Sequence, residues 1–276
     1  MDKSNFKNLK IDSVSKQFPG VKALDAVNMN ISTGKVHALM GENGAGKSTL
    51  IKILAGAYSK DEGKIFFDED EVIIDSPNDS LSLGIKVVYQ EISLISGFTV
   101  GENIFLENYP VNKFGIVNWK KLYEDAENLF LKIGFNLDPK AKISDLSISQ
   151  QQMVEIAKAV FQNASVVIMD EPTSSLTPNE IEKLFNVIEN LKNNNIAILY
   201  VAHKIDEIFQ IADEVTVLRD GKHISNRLIS NTSEEILITD MVGRKIEASF
   251  ERPISIAKNI VMSVKNISTN SKLKNI

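Results

Sequence analysis

The stretch GENGAGKST, Gly41 to Thr49, decides how this chain folds. It sets Gly41, Gly46, Lys47 and Ser48 in the spacing G-x-x-x-x-G-K-[ST], directly after the apolar run KVHALM and before the helical run TLIKILAG. Glycines let a backbone turn tightly and approach an anion, so that successive N–H groups and the start of the next helix face phosphate oxygens. Lys47 is expected to reach the β- and γ-phosphates of a nucleotide, and the Ser48 hydroxyl to ligate Mg²⁺. Gly41, Asn43, Gly44, Ala45, Gly46 and Thr49 complete the expected nucleotide-binding set.

Outward from this loop, short Val- and Ile-rich runs alternate with stretches of three-to-four-residue apolar period, which predicts an α/β fold with a largely parallel sheet. Strands are expected at Leu9 to Val14, Val27 to Ser32, Lys35 to Met40, Lys64 to Phe67, Ile85 to Tyr89, Ser165 to Met169, Ile196 to Val201, Glu214 to Arg219 and Lys222 to Arg227. Between Glu91 and Gln162 the strand signal fades and helices are expected at Trp119 to Ile133 and Gln150 to Phe161, a helical insert in the sheet domain. A short helix is expected at Glu234 to Val242, with a linker over 246–258 that contains Glu251, Arg252 and Pro253. The run IVMSVKNIS from Ile260 resembles the opening LKIDSVSK from Leu9, so 259–276 reads as the first strand of a second copy that breaks off.

A second constellation is VVIMDEPTSSLT, Val166 to Thr177, where an apolar strand ends in two carboxylates and a proline stops its continuation. Adjacent side chains at a strand end point in different directions. Asp170 is therefore expected to hold Mg²⁺, directly or through water, and Glu171 to polarise an attacking water as general base. Gln90 ends IKVVYQ and His203 ends IAILYVAH. Either could contact the γ-phosphate, the metal or the attacking water, by the rule that strand ends deliver polar groups to a ligand. His37 and His223 have no such context and read as structural.

Bulk composition narrows the alternatives. The 276 residues are 43% hydrophobic and 24% charged, enough for a sizeable core. Absence of cysteine excludes disulfides and thiolate metal sites. A net charge of −5 argues against a nucleic acid backbone as main partner. The polar opening MDKSNFKNLK does not read as a signal peptide, and no apolar run reaches the roughly 20 residues of a spanning helix, so a membrane role is expected to come through a partner.

With Gly41 to Thr49, Gln90, LSISQQQ at Leu146 to Gln152, Asp170 with Glu171, and His203 in this order, the chain resembles ATP-binding cassette ATPases over nearly its whole length. The resemblance implies a P-loop fold with a RecA-like mixed sheet core, an antiparallel β subdomain and a helical subdomain at about 91–162, within a cassette domain at 1–245. It implies ATP and Mg²⁺ as ligands and places Gln90 in the loop that contacts a transmembrane partner. It also makes Phe18, in KQFPGVKA, the adenine-stacking aromatic; without it, Phe18 reads equally well as core.

FPGVKALD, LSISQQQMVEIAKA and MDEPTSSLT look like the bacterial carbohydrate importers for ribose, xylose and galactose, which carry two cassettes in one chain. ATP hydrolysis coupled to sugar import is then expected, at the cytoplasmic face of the bacterial inner membrane. The implied partners are a second cassette, a sugar permease and, indirectly, a sugar-binding protein, with no nucleic acid. Competing readings are a nucleotide-binding fragment without turnover and a soluble cassette of DNA repair or translation. Two departures stand out. The usual signature LSGGQ is here Leu146, Ser147, Ile148, Ser149 and Gln150, and Thr177 replaces the aspartate that usually follows the acidic pair. Both weaken the chain's ability to complete a partner's site.

Overall fold

The computed structural model of the chain describes residues 6–106, 108–243 and 265. The expected linker and, apart from Lys265, the expected second-copy strand lie outside the described residues. Five strands form the parallel heart of the sheet: β3 (Val36–Met40), β6 (Ile85–Val88), β7 (Val166–Asp170), β8 (Ala197–Val201) and β9 (Glu214–Arg219), side by side in the order β9-β3-β8-β7-β6. Their residues are apolar almost without interruption because both faces are covered. Alternation still sorts the side chains. Val36, Ala38, Met40, Val167, Met169, Ile198 and Tyr200 enter one core, whereas Leu39, Val166, Ile168, Ala197, Leu199 and Val201 enter the other.

The sheet is mixed rather than largely parallel. β10 (Lys222–Leu228) turns back against β9, and a single parallel contact, Lys222 with Asp25, joins it to β2 (Val21–Ser32). Beyond β2 lie β1 (Asn8–Phe18), β4 (Glu62–Phe67) and β5 (Asp70–Val72), all antiparallel. Strands linked by tight turns pair antiparallel, and Pro19 with Gly20 is the whole connection between β1 and β2. In β1, Leu9, Ile11 and Val14 are buried, an alternation broken by a register shift between Ile11 and Val14. Ser13 sits there at φ 52°, its N–H donated to Asn28 Oδ1 at 2.9 Å, as at a bulge.

The helices follow their caps. α1 (Lys47–Leu54) leaves the glycine loop, α2 (Pro77–Leu83) starts at the Ser76–Asp79 capping box, and α3 (Val100–Ile104) at the Thr99–Glu102 box. α3 lies with α4 (Trp119–Ile133) and α5 (Ile148–Phe161) between β6 and β7 in the chain, and together they bury Ile104, Leu122, Ala126, Phe130, Met153 and Ile156. α6 (Pro178–Asn193), α7 (Ile205–Ile211) and α8 (Glu234–Val242) complete the α-helices of the described residues. α4 and α8 fall where periodicity placed them, while α5 begins two residues earlier, at its Ser147 cap.

Candidate active site

The loop 41–46 joins β3 to α1, and the neighbouring strands β8 and β7 end beside it. Side chains at the carboxyl ends of parallel strands therefore converge where α1 begins. Gly46 immediately precedes α1 at φ 103°, and a Cβ there would lie 2.6 Å from the Ala23 carbonyl oxygen. Only glycine fits. No side chain caps α1, so its first N–H groups face the cavity without a carboxylate or hydroxyl partner, which is the arrangement an anion takes.

Lys47 is 7% exposed and its Nζ donates to the Gly41 and Glu42 carbonyls at 2.7 and 3.1 Å. Burial pulls this amine below the usual lysine range, while Glu171 and Asp170 oppose the shift. Asp170 is pushed up, first by burial and then by the charge of Glu171. The two carboxylates thus crowd each other next to a single buried ammonium, and a further cation at Asp170 would relieve them.

One cavity is lined by Asn43, Gly44, Gly46, Lys47, Ser48, Thr49, Asp170 and Glu171, with Phe18, Val21, Lys22 and Ala23 at β1–β2 and Asp220 and Gly221 at the β9–β10 turn. Gly41 and Ala45 stand behind it: Ala45 is buried and its carbonyl accepts from the Gly221 N–H at 3.2 Å. Phe18 is half-buried, edge-on to Tyr58 with centroids 5.3 Å apart. Lys16 Nζ lies 5.6 Å from the Phe18 ring centre. Sequence reasoning missed Lys22, Asp220 and Gly221, because only the sheet order brings a hairpin turn from far along the chain against the loop.

Glu171 holds a left-handed backbone at φ 47°, rare for a side chain of its size, and its N–H donates to the Val201 carbonyl at 2.9 Å. His203 Nδ1 lies 3.5 Å from Glu171 Oε1, so the two strand ends meet through these side chains. Gln90 follows β6 by two residues, is exposed, and does not line the cavity. Leu146, Ser147, Ile148, Ser149 and Gln150 do not line it either. Ser147 caps α5, with its N–H donated to Gln150 Oε1 at 2.9 Å and its hydroxyl 3.1 Å from that of Ser149. Ile148 is half exposed. Ser149 and Thr177 together hold the Glu180 carboxyl below its usual range.

Residues 24–174, from within β2 through the phosphate loop to the acidic pair, match the family described as ABC transporter. The chain belongs to the ABC transporter family. This cassette is 46% identical over 268 residues to the galactose/methyl galactoside import ATP-binding protein MglA of Clostridium tetani, covering 96% of the cassette and 53% of that protein. To the protein of the same name from Fusobacterium nucleatum it is 46% identical over 259 residues, covering 94% and 52%. The cassette spans about half the length of the curated relatives it matches. Among solved structures, an ATP-binding cassette of an ABC transporter in its ADP conformation superposes with a TM-score of 0.75 at 26% identity, over 87% of this chain and all of that one. The structure of cbiO1 from Clostridium perfringens gives 0.72 at 25% identity, over 90% and 97%. The fold is therefore that of an ATP-binding cassette. Among the described residues no helix is long and apolar enough to cross a membrane.

Proposed function

We propose that this cassette binds ATP with Mg²⁺ and hydrolyses it to energise sugar import through a membrane permease. The observation that carries the reading is the single cavity in which the open start of α1, Lys47, Ser48, Asp170 and Glu171 meet, with His203 3.5 Å from Glu171. The relatives' names, galactose and methyl galactoside import ATP-binding protein, favour a sugar as cargo.

In this reading Lys47 exchanges its two carbonyl partners for β- and γ-phosphate oxygens, and the free N–H groups of the loop and α1 take the remaining charge. Ser48 and Asp170 offer the hydroxyl and carboxylate oxygens that suit Mg²⁺. Among the described residues no group of three or more acidic, His or Cys side chains could hold an ion unaided, which fits an ion shared with substrate phosphates. Bound there, Mg²⁺ supplies charge neutralisation at the phosphates. Glu171 takes the proton of the attacking water, and His203 orients that carboxylate. Phe18 stacks on adenine at the far end of the cavity.

Gln90, exposed at the end of β6, is suited to report a permease contact to the metal and phosphate. A second cassette supplies the signature segment opposite this phosphate loop, a sugar-binding protein acts indirectly through the permease, and no nucleic acid takes part. The assembly works at the cytoplasmic face of the bacterial inner membrane. Hydrolysis at saturating MgATP by the wild-type chain and by Glu171→Gln tests the reading: the variant should bind ATP normally and lose about 10²- to 10⁴-fold in rate, as loss of a general base does. Equal rates would refute it.

A further inference from the structure

Glu207 lies in the first turn of α7, where an acid needs only to complement the helix dipole at the surface. Instead it is 6% exposed, and its carboxylate gathers donors from three segments. Thr173 Oγ1 donates to Oε2 at 2.7 Å, the Tyr200 hydroxyl to the same oxygen at 3.0 Å, and Lys204 Nζ to Oε1 at 3.0 Å. Burying a carboxylate costs several kcal/mol unless its lone pairs are matched, so such a group is kept where its bonds matter.

The placement of the donors shows what those bonds join. Thr173 is buried two residues after Glu171, and Tyr200 is fully buried on β8 three residues before His203. Lys204 follows His203 directly. Burial and then the charge of Glu207 hold the Tyr200 hydroxyl far above its usual range, so it stays protonated and donates. Beyond the β7–β8 ladder, which ends with Asp170 opposite Val201, and beyond the Glu171 N–H bond to Val201 and the Glu171–His203 contact, Glu207 adds a side-chain link between the segment that carries Glu171 and the segment that carries His203.

We propose that Glu207 is a positioning residue for hydrolysis: it clamps Thr173 to Tyr200 and Lys204, and so fixes Glu171 and His203 relative to each other. The inference rests on the reading of Glu171 as general base given above. Glu207, Thr173, Tyr200 and Lys204 do not line the nucleotide cavity, so their loss acts on rate and leaves the ATP contacts in place.

Single-turnover hydrolysis, MgATP affinity by calorimetry and thermal melting of Glu207→Ala, Glu207→Gln and Thr173→Val test it. Misplacing a reacting group by about 1 Å can cost about 10²-fold, so Glu207→Ala should lose about 10- to 10²-fold in rate with its affinity unchanged. Glu207→Gln should recover most of the rate, because the amide oxygen still accepts from both hydroxyls. Thr173→Val, which removes one donor, should fall between them and carries the test if Glu207→Ala melts below the assay temperature. In a Glu171→Gln background Glu207→Ala should cost nothing further. Rate and affinity falling together in every variant, or a wild-type rate in both Glu207→Ala and Thr173→Val, would overturn the proposal. If Glu171→Gln itself hydrolyses at the wild-type rate, the general-base reading fails; a wild-type rate in Glu207→Ala beside an inactive Glu171→Gln overturns only the clamp.

Discussion

Replacing Lys47 by Ala removes the buried side-chain ammonium of the phosphate loop, and the structure sets the size of the effect. Nζ donates to two backbone carbonyls, at 2.7 and 3.1 Å, so binding ATP exchanges two hydrogen bonds and does not create two new ones. The gain lies in the difference between a neutral acceptor and a charged one. A hydrogen bond with one charged partner is worth about 1.5 to 3 kcal/mol, and ionised acceptors roughly double the strength of a bond. Each exchange then contributes about 1.5 kcal/mol and the pair about 3 kcal/mol, roughly 10²-fold in Kd. The field of Asp170 and Glu171 adds to the loss, because without Lys47 those carboxylates lose their buried counter-charge beside the triphosphate. Calorimetric titration with MgATP should show affinity weakened by about 10²-fold or more, in a chain whose thermal melt shows it folded. Unchanged affinity would mean that the loop does not hold phosphate.

Further outcomes follow from other parts of the molecule. Phe18→Ala should weaken ATP by about 1 to 3 kcal/mol, the worth of base stacking, while inorganic triphosphate, having no base, is unaffected; equal losses in calorimetry would make Phe18 core packing only. Burial of His37 pulls its pKa down to about 4, so the folded state holds a neutral ring bonded to Thr216 Oγ1 at 2.8 Å. The unfolded chain binds the proton near pH 6.5, so this contribution is full above that value and is lost as pH falls toward 4. Urea melts should show about 2 kcal/mol less stability at pH 5 than at pH 7 from this group, and His37→Gln should lose that slope; an identical slope in the variant would refute it. Turnover per site by the isolated chain should be slow, and a separately made cassette with an intact LSGG segment should raise it by roughly 10²- to 10³-fold by completing the charge-stabilising donors. Fast turnover that ignores the added cassette would refute the shared site.

What was legible in the sequence was local or covered on both faces. The parallel strands announce themselves as apolar runs because two cores enclose them, and the phosphate loop is readable because its donors are successive residues of one turn. β5 escaped notice because Asp70–Val72 is three residues with one buried, and α2 because Ser80 alone of its residues is buried, although Ser76 and Asp79 form a capping box at its start. β2 runs from Val21, six residues ahead of its apolar alternation at Val27, since its first part is held by the turn through Gly20. The cavity wall at Lys22 and Asp220 depends on β10 crossing to β2, a pairing of distant segments that no local pattern encodes. Glu207 was invisible for another reason: in IDEIF it satisfies the ordinary rule for an acid at a helix start, and only its burial separates it from its neighbour Asp206.

The two ends of this cassette differ in how they are committed, and that bears on which site it serves. At the phosphate loop, polar groups are left ready for a ligand: the start of α1 lacks a side-chain cap, and Lys47 is held by two replaceable carbonyls. At the start of α5 the equivalent groups are already engaged. Ser147 and Gln150 close a capping box, and Ser149, where glycine is usual, meets Ser147 and Glu180 within the same chain. The Thr177 N–H and hydroxyl complete that knot by donating to Glu180 at 2.9 and 2.8 Å, so the two departures from the family pattern are joined through one carboxylate. A glycine at 149 leaves room for a phosphate and nothing for Glu180 to bond; a serine does the reverse. Ser149 and Thr177 thus bring α5 and α6 together at Glu180, and in the function proposed above these substitutions close this face to a partner's nucleotide and leave the cassette's own phosphate loop as the site it serves.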